Sequence, residues 1–127
     1  KKIFLLIGVN DISHDLSTDS IVQMIEKNVT RIQRESPETK LYLQSLLPID
    51  ESFNRYKKLT NKTYQIPEIN DRLKALAKEK KIDFIDLYPL FTEKGTNVLR
   101  KELTYDGLHL KEEGYKIWVD AIKKKMK

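Results

Sequence analysis

A chain of 127 residues with 39% apolar side chains is long and apolar enough for one domain with its own core. It holds no cysteine, which excludes disulfides, thiolate metal sites and a cysteine nucleophile and leaves the redox compartment open. No apolar run approaches the ~20 residues of a membrane span, Lys1 to Ile7 is too short for a signal peptide, and much of the net charge of +5 sits in Lys123, Lys124, Lys125 and Lys127. Cations there complement the dipole of a C-terminal helix. No aromatic side chains interleave with these lysines as stacking platforms, so neither nucleic acid nor membrane is expected as a partner.

Ile3-Phe4-Leu5-Leu6-Ile7, ending at Gly8, reads as a strand buried on both faces, the type found in parallel sheets. Such a strand needs neighbours on both sides. The expected partner is a preceding segment that the sequence lacks, or a second copy of the chain. After a polar loop, Ser17 or Thr18 can cap a helix with Asp19 in its first turn, and Ile21, Ile25, Val29 and Ile32 share one face until Pro37. Leu41 to Leu47 predicts a second strand closed by Pro48. Asp50 to Lys62 is a polar loop of unusual length, and loops that long are often functional.

A second helix has Pro67 in its first turn or is kinked there, carries Ile69, Leu73, Leu76 and Ala77 at helical spacing, and ends in the charge run Lys78 to Lys81. Ile82 to Leu87 predicts the third strand, broken by Tyr88-Pro89. An irregular stretch through Gly95 then leads to Asp106-Gly107-Leu108-His109, and the last helix begins near Lys111. Its expected apolar stripe is Tyr115, Trp118 or Val119, Ile122 and Met126, with Trp118 in the core. This alternation predicts an α/β domain, flavodoxin-like, in three α/β/α layers around a parallel sheet, with residues 1–127 forming one domain that lacks its N-terminal strands.

Functional groups in such a sheet collect where the strands run out at their carboxyl ends. Gly8-Val9-Asn10-Asp11 follows the first strand directly, and Asp106-Gly107-Leu108-His109 closes the loop before the last helix. A histidine acting as a general base needs a carboxylate to fix its tautomer and stabilise the imidazolium. Asp106 stands three residues before His109, a spacing at which a turn folds the carboxylate back onto one ring nitrogen. Asn10 could donate an amide hydrogen bond to a developing oxyanion. Taken singly, each has a plainer reading as turn chemistry. His14 and Asp15 could line the same cleft or join His109 in a metal site, but the histidines lack metal-ligand spacing and no metal is expected.

In combination, Gly-x-Asn-Asp after an apolar strand and Asp-x-x-His before an amphipathic helix resemble the third and fifth sequence blocks of the SGNH, or GDSL, serine hydrolases. The run Leu108-His109-Leu110-Lys111-Glu112-Glu113-Gly114-Tyr115 is similar to that family's passage from the catalytic histidine into its last helix. The resemblance implies Asp106 and His109 as members of a Ser-His-Asp triad, Asn10 as oxyanion donor with Gly8 and Asp11 in support, and no cofactor. It implies a small acyl ester as substrate, with O-acetylated carbohydrate favoured by similarity to bacterial carbohydrate acetylesterases. The family's Gly-Asp-Ser block and second-block glycine would both precede Gly8, where only seven residues stand. Thr18-Asp19-Ser20 follows the Asn block and reads as a helix start. The nucleophilic serine is therefore expected outside this chain, and the alternative is a non-catalytic remnant or binding module of the same fold.

Overall fold

The computed structural model describes residues 1–6 and 9–126, with Val9 and Asn10 described by backbone alone. Three strands, β1 (Lys2–Leu5), β2 (Lys40–Gln44) and β3 (Asp83–Ile85), form a parallel sheet in the order β1-β2-β3. The expected α/β architecture is observed. Helices α2 (Thr18–Glu35), α3 (Gln65–Lys80) and α5 (Glu112–Met126) supply the covering layers, and α1 (Val9–Ser13) and α4 (Tyr88–Phe91) are short connecting helices that follow β1 and β3.

The two-residue period of β2 sorts the core into two halves. Leu41 and Leu43 point to one face, where they join Ile21, Ile25 and Val29 of α2 and Ile66, Ile69 and Leu73 of α3. Tyr42 points to the other, where it meets Ile85, Leu87, Phe91 and the α5 residues Ile117, Trp118 and Ile122. Across the strands Phe4 stands opposite Tyr42 in register, and their rings stack at 4.7 Å. Trp118 Nε1 donates to Gln44 Oε1 at 2.7 Å, which satisfies the polar end of each side chain where α5 lies on the sheet.

Local signals account for the helix boundaries. Ser17 caps α2 by accepting a hydrogen bond from Ser20 N at 3.1 Å, and the helix stops two residues before Pro37. Lys81 closes α3 in the left-handed region at φ 59°, where its N–H caps the carbonyls of Ala77 and Lys78.

Two expectations need correction. The first strand is not buried on both faces: Ile3, Phe4 and Leu5 are only half-buried, because β1 lies at an edge of the described sheet and pairs with β2 alone. The stripe of α5 is also rotated from the expected one. Tyr115, Val119 and Met126 are exposed, while the expected Trp118 and Ile122 pack inward together with Ile117 and Ala121, and Gly114 approaches the Leu110 side chain closely. Several residue sets satisfy a 3.6-residue period on this helix, and docking against Tyr42 and Phe91 selects among them.

Candidate active site

The segment from Thr104 to Leu110 is a tight loop closed at its ends by an antiparallel bridge between those two residues. Its interior is wired through Thr104, a buried side chain whose Oγ1 donates to His109 O at 2.6 Å and accepts from Gly107 N at 3.0 Å. Gly107 turns the chain at φ +91°, and a Cβ there would lie 2.4 Å from Asp50 O. Only glycine meets both demands. Asp50 N donates to Gly107 O at 2.9 Å, which fastens this loop to the start of the long polar loop after β2.

Asp106 uses its two carboxylate oxygens for different tasks. Oδ1 accepts the backbone N–H groups of Leu108 at 2.9 Å and His109 at 2.8 Å, an Asx-type turn that fixes the carboxylate plane. Oδ2 lies 2.8 Å from His109 Nδ1. The fold-back expected from the three-residue spacing is therefore present. With Nδ1 engaged by the carboxylate, Nε2 is the nitrogen offered to solvent, and the His109 side chain is 67% exposed against 17% for Asp106.

A third residue completes the cluster. Tyr56 Oη donates to Asp106 Oδ2 at 2.6 Å and lies 3.0 Å from His109 Nδ1. It comes from the long polar loop, between two 3-10 turns at Glu51–Phe53 and Lys57–Leu59. That loop is braced from within: Asp50 Oδ1 accepts Ser52 N at 2.9 Å, and Glu51 accepts Asn61 N at 2.7 Å and the Thr63 hydroxyl. Sequence reading marked the loop as long but gave no reason to choose Tyr56. A lone tyrosine fifty residues from its partner carries no spacing signal.

Burial works against ionisation of Asp106. Hydrogen bonds from Tyr56, from the His109 ring and from the backbone N–H groups of His109 and Leu108 outweigh it and hold the carboxyl well below the usual carboxylate range. The reverse effect falls on Tyr56, whose phenol is raised first by its hydrogen bond to Asp106 and then by burial and the Asp106 charge, with the Arg55 charge opposing. The result is an anionic carboxylate against Nδ1, the arrangement that stabilises an imidazolium once Nε2 takes a proton.

A surface groove of ≈ 590 Å³ adjoins this cluster, with Ser13, Tyr56, Leu59, Leu108 and His109 among its lining. Ser13 belongs to α1, so the segment after β1 and the Asp106–His109 loop reach one groove, as the carboxyl-end rule predicts. Asp11 lies on the same short helix and is half-buried. Gly8 and the Asn10 side chain lie outside the described residues. His14 is exposed in the turn after α1, and Asp15 is paired with Lys62. Ser20 sits exposed in the first turn of α2, its Oγ 3.0 Å from Ser17 Oγ. Ser45 is fully buried and its Oγ accepts the backbone N–H groups of Leu87 and Tyr88 at 2.9 and 3.0 Å. No helix among the described residues is long and apolar enough to cross a membrane.

A three-layer α/β/α domain with a carboxylate-histidine pair at the carboxyl end of a parallel sheet defines a hydrolase-like class of protein. The chain belongs to the GDSL-like lipase/acylhydrolase family, whose sequence profile matches residues 1–117. No curated protein matches it.

Solved structures agree on the fold. A protein from Streptococcus pneumonia provisionally described as a platelet activating factor superimposes with a TM-score of 0.84 at 30% identity, over 99% of this chain and 59% of that one. A GDSL-like lipase from Bacteroides thetaiotaomicron VPI-5482 gives 0.82 at 26% identity, over 96% of this chain and 60% of that one. An acetyl xylan esterase, AlAXEase, shares the fold at 21% identity with a TM-score of 0.76, over 98% of this chain and 66% of that one. The chain thus spans about 60% of the length of the first two.

Proposed function

We propose that this chain carries the acid-base half of a serine ester hydrolase, with His109 as general base and acid and Asp106 as its orienting anion. The carrying observation is the 2.8 Å contact between Asp106 Oδ2 and His109 Nδ1, in a loop held by its own hydrogen bonds and anchored from outside by Asp50 and Tyr56. The sequence blocks Gly8-Val9-Asn10-Asp11 and Asp106-Gly107-Leu108-His109 take the roles that family resemblance gives them. Asn10 donates to the oxyanion, supported by Gly8 and Asp11, and the nucleophilic serine comes from residues outside these 127. Those residues, or a second copy of the chain, supply a strand for the outer edge of β1.

The chemistry is acyl transfer. The serine oxygen attacks the ester carbonyl while its proton passes to His109 Nε2, and the tetrahedral oxyanion is held by the Asn10 amide and backbone N–H groups. His109 then returns the proton to the departing alcohol oxygen as the acyl C–O bond breaks. Water repeats the sequence on the acyl-enzyme and releases the acid. Small acyl esters are the substrate class, and O-acetyl groups on carbohydrate are favoured because an acetyl xylan esterase shares the fold.

The test is labelling of the full-length protein with a fluorophosphonate, followed by peptide mapping and ester turnover. A labelled serine N-terminal to Lys1, with labelling and turnover abolished by His109→Ala, supports the reading. A label on Ser13 or another serine of this chain would move the nucleophile into it. A folded protein that takes no label and turns over no ester would overturn the assignment in favour of a non-catalytic module of the same fold.

A further inference from the structure

The groove beside His109 has an unusual charge balance. Arg55, Lys57 and Lys58 line it, and none of its lining residues is acidic. Three other surface grooves among the described residues are mixed. Lys124 and Lys125 share one with Asp86 and Asp120, Lys94 and Arg100 share another with Glu93 and Glu102, and Lys40 and Lys81 share a third with Asp83.

Nor are the three cations at His109 neutralised from elsewhere in the described structure. Neither Arg55, Lys57 nor Lys58 takes part in a salt bridge, although Lys62, on the same loop, pairs with Asp15. Of the loop carboxylates, Glu51 accepts from Asn61 N and the Thr63 hydroxyl, and Asp50 Oδ1 accepts from Ser52. Three cations outside any salt bridge line a concave surface whose lining holds no acid, with the Asp106 carboxylate behind Tyr56 and His109 already engaged by their hydrogen bonds. Such a surface attracts an anion, and the low-dielectric wall supplied by Leu59 and Leu108 strengthens that attraction.

Position tells which part of a substrate carries the charge. In the proposed reaction His109 hands its proton to the departing alcohol oxygen, so the alcohol portion leaves past the exposed histidine, which itself lines this groove. We propose that the groove selects esters whose alcohol portion is anionic, specifically a carboxylate-bearing sugar of the uronate kind, with Arg55, Lys57 and Lys58 as counter-charges. The proposal rests on the ester-hydrolase reading of His109 and adds the substrate class.

The experiment compares two matched probes on the full-length protein, methyl O-acetyl-glucuronoside and methyl O-acetyl-glucoside, at low and high ionic strength. The carboxylated ester shows a KM about tenfold lower at low salt, and the advantage fades by about 0.5 M salt. In the Arg55→Gln/Lys57→Gln/Lys58→Gln variant the two esters become equivalent while turnover of the neutral one is retained. Equal KM values in the unmodified protein would overturn the proposal, as would a preference that survives the triple substitution. Failure of the hydrolase reading is separated by a binding measurement that needs no turnover. If neither ester is hydrolysed, salt-sensitive binding of methyl glucuronoside that the triple substitution weakens about tenfold still supports an anion-selective groove, and absence of such binding refutes it.

Discussion

Tyr56 Oη donates to Asp106 Oδ2 at 2.6 Å, so one carboxylate oxygen serves both a phenol and the His109 ring. The tyrosine therefore helps fix the carboxylate that fixes the histidine. Its hydroxyl meets the ring at Nδ1, not at the proton-carrying Nε2, which makes it a positioning residue. Removing its hydroxyl by Tyr56→Phe leaves the Asp106–His109 contact in place but weakens its support. Turnover falls roughly three- to tenfold through kcat rather than KM. The readout that separates positioning from structural damage is the acid limb of kcat against pH, which moves upward as the Asp106 carboxyl loses a hydrogen-bond donor.

Asp106→Asn keeps the Oδ1 acceptor for the two backbone N–H groups, so the loop retains its shape. It places an amide N–H against His109 Nδ1 and forces the wrong tautomer. Ester turnover in the full-length protein drops about 10⁴-fold with circular dichroism unchanged. Unimpaired turnover would remove Asp106 from the mechanism.

Stability against pH carries the same signature. The Asp106 carboxyl is depressed in the folded state, so its contribution is present in full above the unfolded value of about 4 and is lost as the pH falls from there toward the lower native value. Urea midpoints measured between pH 7 and pH 3 fall at the acid end. The Asp106→Asn protein shows a shallower fall, and an identical slope would contradict the hydrogen-bond account.

Gly107→Ala places a Cβ 2.4 Å from Asp50 O at a backbone φ of +91°. The protein loses about 2–4 kcal/mol by urea unfolding, and activity falls with it because Asp50 N anchors the loop through Gly107 O. Gly95→Ala is the control. Its φ is +75° but nothing lies within 4 Å of the added methyl, so the cost is about 1 kcal/mol.

Ser45→Ala tests the junction that carries the chain out of β3. Ser45 Oγ accepts the N–H groups of Leu87 and Tyr88 in a fully buried position, and deleting it orphans both. Unfolding free energy falls by about 2–3 kcal/mol, while the KM for a neutral ester is unchanged. A change in KM without loss of stability would mean that Ser45 acts in the site.

Local order was written into the chain. Ser17 caps α2 because a serine hydroxyl at that point can satisfy a free helix N–H, and the alternation of Leu41 and Leu43 with Tyr42 assigns the faces of β2 because strand geometry has a period of two. Asp106 reaches His109 across three residues, within the reach of one turn, so this half of the site was legible too. Tertiary structure decided what lies farther apart in sequence. The face of α5 that packs inward depends on Tyr42 and Phe91, the glycine requirement at Gly107 depends on Asp50, and the hydroxyl that braces the carboxylate belongs to Tyr56, fifty residues upstream. Those choices rest on contacts between distant segments, for which a single sequence carries no period and no spacing to read.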